Sequence, residues 1–95
     1  MQRVGVSFKS SLPNSEIQRL YIQPLREALE TPRLGIYSNH VAHLEADPAE
    51  LVEHLLIFNV FDFEQSLRQL RTTIETLGPP EEVRFHNLDP SEPMY

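Results

Sequence analysis

Hydrophobic and polar positions divide this chain into short segments of two periods. Residues 3–9 alternate, with Val4, Val6 and Phe8 on one side and Arg3, Gly5, Ser7 and Lys9 on the other, the pattern of a half-buried strand. After Pro13-Asn14, Ser15 and Gln18 have the spacing of a capping box. From there Ile17, Leu20, Tyr21, Pro24, Leu25, Ala28 and Leu29 follow a helical period. Pro24 lies inside that stripe and predicts a kink or a break there, since its ring removes one hydrogen bond. Thr31-Pro32 ends the helix. Residues 34–45 and 51–61 read as two strands joined through the turn from Asp47 to Glu50. Asp62 then caps a second helix, in which Phe63, Leu67, Leu70, Ile74 and Leu77 form the apolar stripe and Gly78 marks the stop. Residues 82–88 supply a fourth strand with Val83 and Phe85 on one face, and residues 89–95 read as a tail.

The resulting order, β-α-β-β-α-β, is the ferredoxin-like split βαβ plan of the α+β class. It predicts a four-stranded antiparallel sheet of order 4-1-3-2 with two helices on one face. One domain spans residues 1–88. In this plan the second sheet face is open, and the hairpin register decides which residues occupy it. Closing the hairpin with Ala46 opposite Leu51 sets His43 against His54, Val41 against Leu56, Asn39 against Phe58 and Tyr37 against Val60, all toward the helices. The open face then carries Ile36 with Phe61, Ser38 with Asn59, His40 with Ile57, and Ala42 with Leu55. The third strand is apolar on both sides, which is typical of strands covered on both faces. Leu55, Ile57, Phe61 and Ile36 are therefore the expected interface of a homodimer, with a protein partner or the C-terminal tail as the alternative cover.

Composition narrows this picture by exclusion. Fourteen Asp and Glu against eight Lys and Arg give a net charge of −6, unsuited to a nucleic-acid or anionic-membrane surface. The chain has no cysteine, which removes disulfides, thiolate metal sites and cysteine nucleophiles. No apolar run approaches the ~20 residues of a membrane-spanning helix. The N-terminus lacks the apolar core of a signal peptide, so the expected setting is cytoplasmic.

The candidate chemistry gathers on the expected open face. Ser7, Lys9, Ser38, His40, Asn59, Arg84 and His86 are polar groups among apolar walls, the makings of a small-ligand site. The reading that follows is a small acidic, non-catalytic interaction or regulatory domain that self-associates through this face and binds a protein or small ligand there, without a cofactor. One version of it offers Glu16, Glu27, Glu30, Glu45, Glu50, Glu53 and Glu64 to a basic protein. The alternative is a cofactor-free enzyme with His40 as acid/base and Asn59 and Ser38 orienting the substrate, an architecture that resembles the dimeric α+β barrels. His43 and His54, with Glu45 nearby, form a further candidate as zinc ligands, although their spacing matches no metal motif. The loop from Lys9 to Ser15 enters a helix N-terminus and could attract an anion, but it lacks the glycines of a phosphate loop.

Overall fold

A computed structural model describes residues 2–43, 52–78 and 80–88. It shows an α+β fold with a four-stranded antiparallel sheet and two helical segments. The strands are β1 (Gln2–Ser10), β2 (Gly35–His43), β3 (Val52–Val60) and β4 (Glu81–Asn87), in the spatial order β2-β3-β1-β4, which is the expected order read from the other edge. The first helical segment runs through α1 (Asn14–Ile17), a π-helical turn (Gln18–Ile22) and α2 (Gln23–Glu30); the second is α3 (Phe63–Leu77). The hairpin turn from Asp47 to Glu50, Glu45 and the tail 89–95 lie outside the described residues.

Alternation builds the core from one face of the sheet. Val4 pairs with Phe58, Val6 with Leu56 and Phe8 with His54 across β1 and β3. All six side chains are buried, and Ile17, Ile22, Leu25 and Leu29 of the first helical segment pack on them together with Leu70 and Ile74 of α3. Both helices therefore cover the same face, since each contributes to one apolar cluster.

Pro24 does not break the first helical segment, which runs through it by way of the π-helical turn. The Gln23 N–H donates to the Gln18 carbonyl, five residues back, so the turn before the proline is wider than an α-turn. That widening relieves the clash a proline ring makes with the preceding turn. It also shifts the phase of the helix. The buried stripe steps five residues from Ile17 to Ile22 and then resumes at Leu25 and Leu29, leaving Leu20 only half-buried. An unbroken α-helical period points to Leu20 instead.

The two helix starts differ in kind. Asp62 caps α3 as expected, its Oδ1 accepting from the Gln65 N–H at 2.9 Å. The Ser15–Gln18 capping box does not form: the cap lies two residues earlier, at Pro13, whose carbonyl accepts from Glu16 and Ile17 at 2.9 and 3.1 Å with no side-chain cap. Gly78 ends α3 at φ 86°, a conformation that favours glycine. Asp62→Ala should therefore lower stability by about 0.5–2 kcal/mol in urea unfolding. Ser15→Ala should stay within ~0.5 kcal/mol of the parent, because its side chain caps nothing. Equal losses in the two variants would contradict this assignment of the helix starts.

Candidate functional site

The register of β2 against β3 departs from the expected one and changes the site. Gly35, Ile36 and Tyr37 pair with Val60, Asn59 and Phe58, but Asn39, His40, Val41, Ala42 and His43 pair with Ile57, Leu56, Leu55, His54 and Glu53. Ser38 is an extra residue between the two runs, a β-bulge that reverses the sidedness of everything after it. Tyr37 faces the helices as expected, its ring 5.7 Å from Phe58. Past the bulge, His40 turns to the helix side and Val41 and Asn39 to the open side, each opposite to its expected place. His43 lies opposite Glu53 rather than His54.

On the helix side, His40 Nε2 and His54 Nδ1 are 3.0 Å apart and share one hydrogen bond. His54 is 1% exposed and stacks on Phe8 at 5.6 Å, and Phe8 in turn lies 5.1 Å from Tyr21. The imidazole centroids of the pair are 5.2 Å apart, close to the largest separation their nitrogen contact allows, so each nitrogen points at the other ring. Zinc would require both lone pairs to converge on a point off that line. No cluster of three His, Asp or Glu side chains that could hold a metal is present among the described residues. Burial pushes the pKa of His40 down; burial and then the neighbouring His40 charge push that of His54 down, with the Ser10 backbone opposing weakly. His54 Nε2 has no hydrogen-bond partner, so a proton there is poorly accommodated.

The open face holds a different cluster. Along β1 it presents Gly5 and Ser7, the two smallest side chains of the row, between larger neighbours. Ser7 sits between Leu55 on β3 and Arg84 on β4, and Val41 lies beyond Leu55. A Cβ at Gly5 would meet Leu55 Cδ1 at 2.9 Å and Leu88 Cδ1 at 3.0 Å, so these two leucines close over the glycine. What remains open is a groove of about 420 Å³ over Ser7, lined by Ser7, Val41, Glu53, Leu55, His86 and Leu88. At its floor Ser7 is 4% exposed, and its Oγ lies 2.8 Å from His86 Nε2. A smaller cleft of about 100 Å³, lined by Lys9, Glu53, Glu82 and Arg84, adjoins it through Glu53. Lys9, offered by the sequence as part of an anion site, pairs with Glu82 at 3.1 Å.

Of the expected site residues, Ser7, Lys9, Arg84 and His86 thus come together. Asn59 shares the face but lies farther along, paired with Arg3 and Ile36. Ser38 is exposed at the bulge, and His40 is on the other side of the sheet, so the His40–Ser38–Asn59 constellation does not assemble. Leu55 and Ile57 are half-buried on the open face and Ile36 is exposed beside them. Phe61, 68% exposed, belongs instead to an edge cleft with Arg26, Glu30, Arg33, Ile36 and Tyr37. Of the carboxylates offered to a basic partner, Glu16 and Glu30 are engaged by Arg19 and Arg26, both at 2.9 Å. Sequence reasoning missed Glu53, Val41 and Leu88 as groove walls. Glu53 and Leu88 have the same strand parity as Leu55 and His86 and were legible; Val41 was hidden by the bulge. No family model, curated protein or solved structure matches this chain, so its own geometry carries the reading.

The histidine pair gives an acid-sensitivity with a definite sign. Its folded-state pKa values lie below the ordinary 6.5, so the unfolded chain takes up protons first as pH falls. Stability is retained above about pH 6.5 and should fall below it by up to about 1.4 kcal/mol per pH unit for each proton. Urea unfolding between about pH 7.5 and about pH 5.5 checks this, with His54→Phe expected to flatten the slope while keeping the ring stack on Phe8. A flat profile in the parent protein, or an equal slope in the variant, would contradict it.

Proposed function

We propose that this chain is a non-catalytic interaction domain of the ferredoxin-like plan, self-associating through the open face of its sheet and binding a small ligand there. The observation that carries the proposal is the two-sided apolar character of β3. Leu56, Phe58 and Val60 fill the core, while Leu55 and Ile57 stand on the other face beside Ile36 and Val41, which are 50% and 44% exposed. A second copy is the occupant that matches such a face to itself, because a two-fold interface sets each apolar strip against its own copy.

The size of the face supports a modest, concentration-dependent association. Four strands about 4.8 Å apart and up to nine residues long, at ~3.3 Å each, present roughly 600 Å² per copy. Two copies would bury about 1,200 Å², the lower end of specific interfaces. Although the chain carries a net charge of −6, the open face itself mixes Arg3, Lys9 and Arg84 with Glu53 and Glu82. His40 and Asn59 are on opposite sides of the sheet, which favours this reading over an enzyme that uses the two together.

Sedimentation velocity across a concentration series tests association. A monomer–dimer equilibrium is expected, and Ile57→Asp should shift it to monomer by at least about tenfold in the dissociation constant, with unchanged circular dichroism. A parent protein that stays monomeric at the highest concentrations, or an Ile57→Asp variant that still dimerises, would overturn the proposal.

A further inference from the structure

The open-face groove carries charges that the fold leaves unused. Glu53 and Arg84 both line the cleft next to the apolar groove, yet among the described residues neither has a hydrogen-bond or ion-pair partner, and they are not paired with each other. They flank β1 from either side: Glu53 opposite Lys9 on β3, Arg84 opposite Ser7 on β4. Lys9 and Glu82 are occupied with one another at 3.1 Å. One carboxylate and one guanidinium therefore remain, diagonal to each other across β1, with Ser7 and the Glu82-paired Lys9 between them. Beside them Val41, Leu55 and Leu88 make an apolar wall, and the Ser7–His86 pair forms a polar floor.

We infer that this groove binds an apolar α-amino acid as its zwitterion. The ligand's carboxylate meets Arg84, its ammonium group meets Glu53, and its side chain lies against Val41, Leu55 and Leu88. The charge pattern selects the class. An anion alone leaves Glu53 unmatched and facing it; a cation alone leaves Arg84 in the same position. A ligand with neighbouring carboxylate and ammonium groups and an apolar substituent complements all three surfaces, and an apolar α-amino acid is the smallest such molecule. At about 420 Å³ the groove is at the small end of ligand sites, which suits a single amino acid and not a peptide. The partner groups are charged on both sides, so each contact is of the stronger, charge-assisted kind. The Ser7–His86 pair fixes the floor: each satisfies the other at 2.8 Å, so the buried hydroxyl needs no group from the ligand.

The site deepens the ligand-binding half of the proposed function and does not depend on the other half, because one copy supplies every residue named. With a second copy over the sheet, the ligand would lie between the two faces.

Isothermal titration of the full chain with L-leucine tests the inference, with 4-methylpentanoate, 3-methylbutylamine and glycine as probes lacking the ammonium group, the carboxylate and the apolar side chain. Leucine should give saturable binding, and each truncated probe should bind at least about tenfold more weakly, the usual effect of losing a contact to a charged group. Glu53→Gln and Arg84→Gln should each weaken leucine by a similar factor, with circular dichroism unchanged because neither side chain has a partner among the described residues. Glu53→Gln should leave 4-methylpentanoate binding unaffected or tighter, which a loss of folding could not produce. Absence of saturable binding by leucine, methionine and phenylalanine at tens of millimolar would overturn the inference. So would 4-methylpentanoate binding as tightly as leucine, or leucine binding equally to both variants. Sedimentation run on the same samples separates this outcome from a failure of self-association.

Discussion

One extra residue in β2 governs how the two faces of this sheet are divided. Before Ser38 the strand presents Tyr37 to the helices; after it, the alternation restarts one step out of phase. His40 is thereby delivered to the interior, where it meets His54, and Val41 is delivered to the open face, where it walls the groove. Without the bulge the two would exchange places. A histidine would sit on the open face, and His54 would lose its hydrogen-bonding partner beneath Phe8. The bulge also bends an edge strand away from the straight geometry that invites edge-to-edge pairing.

β3 is the element on which both faces depend. It lies between β1 and β2, contributes Leu56, Phe58 and Val60 to the core, and turns Leu55 and Ile57 outward. The helix side is closed by side chains from both helical segments. Among the described residues, the other side has Leu55 and Leu88 closing over Gly5 and the Ser7–His86 pair at the floor of a shallow depression. A large apolar side chain left in water forgoes roughly 1.5–3 kcal/mol of burial. The imbalance between the faces is what favours an occupant on the open one. The same small residues on β1 that leave room for a ligand also keep that face from being flat.

The secondary structure was legible in the sequence because its signals were local. Strict alternation in residues 3–9, the 4-3-4-3 stripe of α3 and the Asp62 cap each depend on neighbours within a turn or a strand. Two features that were not legible share a cause. The π-turn before Pro24 and the bulge at Ser38 each insert one residue into a regular repeat, and period-based reading carries the old phase across the insertion. That is why Ile22 was passed over as a core residue, why Val41 was sent to the wrong side and why His40 was placed in a site it does not reach. Pro24 at least announced that something would happen near it. Ser38, in a run of Tyr-Ser-Asn-His, has no turn former beside it and gave no warning. Ser7, Lys9, Arg84 and His86 lie on β1 and β4, clear of the Ser38 slip, and alternation placed them together on the open face. The mutual contact of Ser7 and His86 follows from the pairing of β1 with β4, which the topology implied but the sequence alone did not register.

In the function proposed here, the helix-facing side of the sheet makes the fold and the open side binds, with a second copy as its cover. Methyl NMR with a soluble paramagnetic agent, over a dilution series, examines that face directly. The account predicts that the methyl groups of Ile36, Val41, Leu55 and Ile57 are shielded from the agent at high protein concentration and become accessible on dilution. Leu77, 40% exposed at the end of α3, should be accessible throughout. Accessibility of the four open-face methyls that does not change with concentration would contradict the account.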